Sequence, residues 1–287
     1  MAHPVVIAAD DYALAPGVSR AIIELIKQGR VSATGCMTIS PFWKEHAEWL
    51  RPWRDHADIG LHITLTDHKP LGPMPRLAPG GRLPDLKTLL RASLFGGLDM
   101  PEITLEIQRQ IDAFTRHFHR PPAYLDGHQH VHLLPVVRQA VMLTLGRLPP
   151  GVWLRDCREP AAAILRRGVA PAKTLFISWL GLGLGQAIDF GRLPANGSFR
   201  GVHDFSGRVP FADLMARFLT PPAARDPARP PLVMVHPGFP DDELRAADPV
   251  VEPRQAEYDL LAGDRFAQLL AERGLTVTKL GGAAGRE

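Results

Sequence analysis

The stretch "VIAADDYALAPGV" occupies residues 6–18. An apolar run that reads as a buried strand ends there in two adjacent carboxylates, Asp10 and Asp11, just before a helix can begin. A solvated loop end would carry two like charges for solubility. A metal site would use one as a ligand and the other as a base. Which applies depends on what the rest of the chain delivers to the same place.

Downstream, "PGVSRAIIELIKQG" sets Val18, Ala21, Ile22, Leu25 and Ile26 on one helical face and stops at Gly29. Residues 33–39 read as a second strand and 42–52 as a helix. In "DIGLHITL", Ile59, Leu61, Ile63 and Leu65 alternate with Gly60, His62 and Thr64, the period of a strand. A Pro/Gly-rich stretch, 69–84, reads as a long loop or insertion. Ile103, Ile107, Ile111, Phe114 and Phe118 have helical spacing over 101–118. Further strands are predicted at 122–126, 151–155, 231–235 and 275–280, and helices near 135–147, 172–188, 210–219 and 253–273. The Pro-rich 220–230 reads as a loop, with no domain boundary in it. Strands and helices thus alternate about seven times, which implies an α/β fold with a mainly parallel sheet. We expect one domain over 1–287, a distorted (β/α) barrel.

Composition narrows the function classes. Of 287 residues 45% are hydrophobic and 22% charged, so a sizeable core is expected. Lys+Arg is 33 against 30 Asp+Glu, and no basic block is interleaved with aromatics, which disfavours nucleic acid as a partner. Cys36 and Cys157 are the only cysteines and have no metal-like spacing, so a reducing, cytoplasmic setting is expected. The N-terminal apolar run is too short and too soon interrupted for a signal peptide. The most apolar segment, 174–185, is shorter than the roughly 20 residues a spanning helix needs. It reads as a core helix, or as part of a substrate-covering segment at about 172–206. Oligomeric state is left open, a homo-oligomer included.

The polar residues fall at the C-terminal ends of the predicted strands. Asp10 and Asp11 follow the first, and His62 lies late in the third. His128, His130 and His132 follow the fourth, Arg155 the fifth and His236 the sixth. In a parallel barrel these ends open on one face, where active sites form. Each residue also has a plain structural reading: a hydrogen-bonded core histidine for His62, a turn residue for His236, an ion pair with Asp156 or Glu159 for Arg155. The three clustered histidines alternate, so an extended segment would put them on one face, and we expect at least one to bind metal. His3, His46, His56, His117 and His119 are read as terminal or helix-surface residues without a role; His68 and His203 stay undecided. Asp plus two His suits a catalytic divalent metal with open positions, magnesium or zinc among the candidates.

With those residues in view, the chain resembles the YdjC-like carbohydrate deacetylases, a family that includes chitooligosaccharide and hopanoid-associated deacetylases. "ADDYALAPGVSRAIIELIKQGRVSATGCM" looks like the family opening. "IGLHITLTDHKPL" and "YLDGHQHVHLLP" match its next motifs, and "LR" at 154–155 and "HPGF" at 236–239 match weaker later ones. The resemblance implies a distorted barrel that removes N-acetyl groups from a carbohydrate. It implies Asp10 as catalytic base, Asp11, His62 and His128 as metal ligands, and His236 as general acid or oxyanion partner. Arg155 would orient Asp10, and Tyr12 and His130 would meet the sugar. The family opening usually runs Asp-Asp-Phe-Gly; here Tyr12 and Ala13 follow, which adds a hydroxyl near the site and makes a positive-φ turn less expected. Two other classes compete. An amidohydrolase or phosphoesterase barrel often opens with a His-x-His pair, which the first strand lacks. A catalytically silent sugar-binding protein is expected to lose the base or a ligand, and all four positions are filled.

Overall fold

The computed structural model describes residues 2–220 and 229–281. Its elements run β1 (His3–Tyr12), α1 (Pro16–Lys27), β2 (Ala33–Cys36), α2 (Trp43–Leu50), β3 (Asp58–Ile63), α3 (Leu86–Leu94), α4 (Met100–Phe118), β4 (Tyr124–Gly127), α5 (Val137–Leu145) and β5 (Trp153–Leu154). They continue with α6 (Ala161–Arg167), α7 (Pro171–Gly191), β6 (Phe199–Arg200), α8 (Phe211–Phe218), β7 (Leu232–Val235), α9 (Asp242–Ala247), α10 (Glu252–Ala262), α11 (Asp264–Glu272) and β8 (Leu275–Val277). The strands form one sheet in the order β5-β4-β3-β2-β1-β7-β6, with β8 also on β1. Every pairing is parallel.

The sheet curls into a distorted (β/α) barrel. Its two edges, β5 and β6, are joined by one irregular segment: Ala195 bridges Leu154 of β5, and Phe199–Arg200 then pair with β7. The predicted core faces are buried. Val18, Ala21, Ile22, Leu25 and Ile26 of α1, and Ile103, Ile107, Ile111, Phe114 and Phe118 of α4, all pack inside. Helix α4 also fastens the 69–84 loop, since Glu106 accepts from Leu71 N–H and Glu102 from Arg76 and Leu77 N–H.

Several expectations change. Helices α3, α6 and α9 and the two-residue β6 were not predicted; each of the three helices buries at most two residues and so carries little apolar pattern. The helix predicted over 253–273 breaks at Gly263, whose extended backbone caps α11. The Pro-rich loop expected at 220–230 lies mostly outside the described residues. Helix α7 is not wholly a core helix. Ile177, Leu180, Leu184 and Ile188 are buried while Phe176, Trp179, Leu182 and Phe190 are exposed. No helix among the described residues is long and apolar enough to cross a membrane.

Candidate functional site

A regular strand sends successive side chains to opposite faces, so Asp10 and Asp11 should not share a site. β1 resolves the conflict with an irregularity. Its pairing with β2 shifts register between Ala9 and Tyr12, a bulge. Asp11 (φ 68°) and Ala13 (φ 72°) both take the left-handed conformation. The positive-φ turn that Ala13 was expected to disfavour is therefore present. It is held from both sides: Ala13 N–H donates to Ser19 Oγ at 3.0 Å, and Ser40 Oγ–H donates to Ala13 C=O at 2.5 Å.

Asp10 and Asp11 belong to two connected clusters. Asp10 is gripped by both terminal nitrogens of Arg155, at 2.7 and 2.5 Å, a bidentate pair buried on both sides. The same guanidinium lies 2.7 Å from Asp126 Oδ2. Asp126 Oδ1 in turn meets His62 Nδ1 at 2.6 Å, because Asp126 of β4 and His62 of β3 are register neighbours. Gly35 of β2 leaves room for that pair: a Cβ there would sit 2.9 Å from His62 Nδ1. In the second cluster, Asp11 Oδ1 lies 3.3 Å from His62 Nε2 and 2.9 Å from His128 Nδ1. Asp11 Oδ2 accepts from Arg254 at 2.7 Å, and Arg254 also pairs with Asp248 at 2.8 Å.

One oxygen and two imidazole nitrogens, from Asp11, His62 and His128, lie within 4.8 Å of one another. That donor set fits a divalent cation with open positions. Asp126, by holding His62 Nδ1, leaves Nε2 free to ligate, the outer partnership metal-binding histidines commonly have. A second convergent trio, Asp10, His62 and Asp126, is already neutralised by Arg155.

Electrostatics follow the geometry. Burial alone would raise the Asp11 carboxyl, but Arg254 and the two histidines carry it well below the usual range. Burial would lower His62, yet Asp126, Asp10 and its hydrogen bonds lift it to about 10. His236 goes the other way: burial outweighs Asp11 and Asp10 and holds it down at about 3. Its backbone N–H donates to Glu257 at 2.5 Å, its ring meets Phe205, and its Nδ1 has no hydrogen-bond partner among the described residues.

The three clustered histidines do not share a face, as an extended segment would require. Residues 128–133 form short 3₁₀ turns broken by a kink at Gln129 and His130, both left-handed, and this sends the rings apart. His128 reaches Asp11. His130 packs against Phe199 with Nδ1 unpartnered. His132 is fully buried and reaches the Arg155 carbonyl at 3.2 Å. Tyr12 does not offer its hydroxyl to the site: it is buried and donates to the His46 carbonyl at 2.7 Å. His46, read as a surface residue, is buried on α2 against Ser19 Oγ. Arg155 pairs with Asp10 and Asp126, while Asp156 is held by Arg158 and Glu159 by Arg167. Asp126 and Arg254 were missed. A carboxylate inside the buried strand "YLDG" is a signal for the first; nothing in the sequence around Arg254 marks it.

These shifts give metal-free protein a stability maximum near neutrality. Burial holds His46 and His132 at about 4 in the fold, against an ordinary 6.5. Between those values the unfolded chain binds more protons, so stability falls as pH drops from 6.5 toward 4. His62 acts oppositely. Its contribution is complete below 6.5 and is lost as pH rises through about 10. Denaturant midpoints of metal-free protein should peak at about pH 6–7; a midpoint still climbing at pH 9 contradicts this.

A family model described as YdjC-like protein matches residues 4–272. A chitooligosaccharide deacetylase of Serratia marcescens is 32% identical over 273 residues, covering 94% of each chain. One of Enterobacter sp. (strain 638) is 28% identical over 269 residues, again covering 94% of each. Among solved structures, an Enterococcus faecalis V583 protein named for cellobiose-phosphate cleavage superimposes with a TM-score of 0.74 at 19% identity. That superposition covers 98% of this chain and 99% of the other, and shows a shared fold.

Proposed function

This chain belongs to the YdjC-like family, and on that premise we propose that it is a metal-dependent deacetylase removing the N-acetyl group from a carbohydrate, an oligosaccharide or a glycolipid. The observation that carries the reading is the meeting on one rim of an Arg-clamped carboxylate, Asp10, and the Asp11–His62–His128 donor set. A divalent metal held by Asp11, His62 and His128, magnesium or zinc, would acidify a water and polarise the acetyl carbonyl.

Asp10 takes the proton of the attacking water. The Arg155 fork fixes the orientation of the carboxylate, and Asp10 then returns that proton to the leaving nitrogen. The C–N bond breaks, and the amine and acetate depart. His236 is neutral at rest, which suits it to donate a hydrogen bond to the developing oxyanion. His130, with its free Nδ1, faces the sugar. The whole of 1–287 acts as one deacetylase domain, in the cytoplasm.

The test is release of free amine from N-acetylglucosamine oligomers and glycolipids by metal-loaded protein. No release from any acetylated sugar would overturn the reading. His236→Ala separates its two roles. As an oxyanion donor its loss should lower turnover of an amide and of an activated ester by the same factor, about 10²–10³, with metal retained. A much larger loss on the amide would make His236 the general acid.

A further inference from the structure

One strained residue stands beside the site. Phe205 is left-handed, at φ 56°, a conformation that costs a bulky side chain energy and persists only where the surroundings impose it. Its ring meets the His236 ring edge-on at 5.0 Å and lies 4.1 Å from the His203 ring. Lys173 of α7 reaches over the same ring, at 5.5 Å, and donates to the His203 carbonyl at 3.0 Å.

The hydrogen bonds fix the tautomer of His203. Phe205 N–H donates to His203 Nδ1 at 3.3 Å, so Nδ1 is the bare nitrogen and Nε2 carries the proton. Nε2–H then donates to Glu257 Oε1 at 3.0 Å. The other oxygen of Glu257, Oε2, accepts the backbone N–H of His236 at 2.5 Å. Glu257 is buried on α10, so both its acceptor oxygens are spent on these donors.

We infer that Glu257 and His203 form a tautomer-locked clamp that holds Phe205 against His236, making them positioning residues for that imidazole. The functional part rests on the deacetylase reading; the clamp itself does not. Glu257 is suited to the task because it offers two acceptors. Glutamine at that position offers one acceptor and one donor. Its oxygen must stay with the His236 N–H, which can only donate. Its NH₂ then faces His203 Nε2 and forces the proton to Nδ1. Two donors, Nδ1–H and Phe205 N–H, would then oppose each other, and the left-handed Phe205 would be released.

The experiment uses the full chain, ¹⁵N-labelled at histidine. In the native protein His203 should show protonated Nε2 and bare Nδ1, with cross-relaxation between the Phe205 and His236 rings. In Glu257→Gln the tautomer should switch and the ring contact should vanish, while kcat on an acetylated sugar falls about tenfold or more at unchanged metal content. Phe205→Gly relieves the strained φ and removes the ring. It should fold with an undiminished Tm and show a similar fall, and the double variant should fall no further. An unchanged tautomer in Glu257→Gln, or additive losses in the double variant, would overturn the clamp. A native protein inactive on every acetylated sugar would refute the deacetylase reading instead, and the tautomer and ring contact would still decide the clamp.

Discussion

An Asp10→Asn variant is expected to bind its divalent metal at full stoichiometry and to lose about 10²–10⁴ in deacetylation rate. Asparagine keeps the size and one acceptor oxygen, so the Arg155 fork retains part of its grip, and Asp126 still balances the guanidinium. What disappears is the ability to take a proton. Among the described residues Asp10 is hydrogen-bonded and ion-paired to Arg155 and to none of Asp11, His62 and His128, so the donor set should survive the change. Elemental analysis alongside kcat checks both halves. Metal loss equal to that of an Asp11 variant would mean that Asp10 is itself a ligand.

Metal affinity should fall steeply in Asp11→Ala and His128→Ala, by more than the 10–100-fold that losing an outer partner typically costs. Asp126→Asn, which weakens only the hold on His62 Nδ1, should fall within that 10–100-fold range. His132→Ala should leave affinity nearly unchanged, since His132 bonds the Arg155 carbonyl and does not face Asp11. Competition titration with zinc in metal-free protein ranks the four. A larger loss for His132→Ala than for His128→Ala would put the wrong histidine in the site. Asp11→Ala also strands Arg254, but Asp248 remains 2.8 Å away to pair with it, so this variant is expected to fold.

Most regular elements were legible because their signal is local. A helix face or a strand alternation is written in residues a few positions apart, and burial of that face is nearly all the information needed. So α1, α4 and β3 are where their periodicity put them. The rim was legible for a related reason: a parallel sheet delivers every strand's C-terminal end to one side, and Asp10, Asp11, His62, His128, Arg155 and His236 stand at or near such ends in the sequence. Helices α3, α6 and α9 escaped because each buries at most two residues, too few to write an apolar face.

The partnerships inside the site were decided only by the tertiary structure. The Asp10–Arg155 pair joins residues 145 apart, His62–Asp126 64 apart and Asp11–Arg254 243 apart. No local pattern specifies which guanidinium meets which carboxylate; strand register and helix docking do. The same holds for the bulge that brings Asp10 and Asp11 into two linked clusters, and for the kinked 3₁₀ turns that separate three alternating histidines. The sequence supplied the chemistry by residue type and strand end. The fold assigned each group its partner, because pairing depends on distances of about 3 Å that only packing across the whole barrel can set.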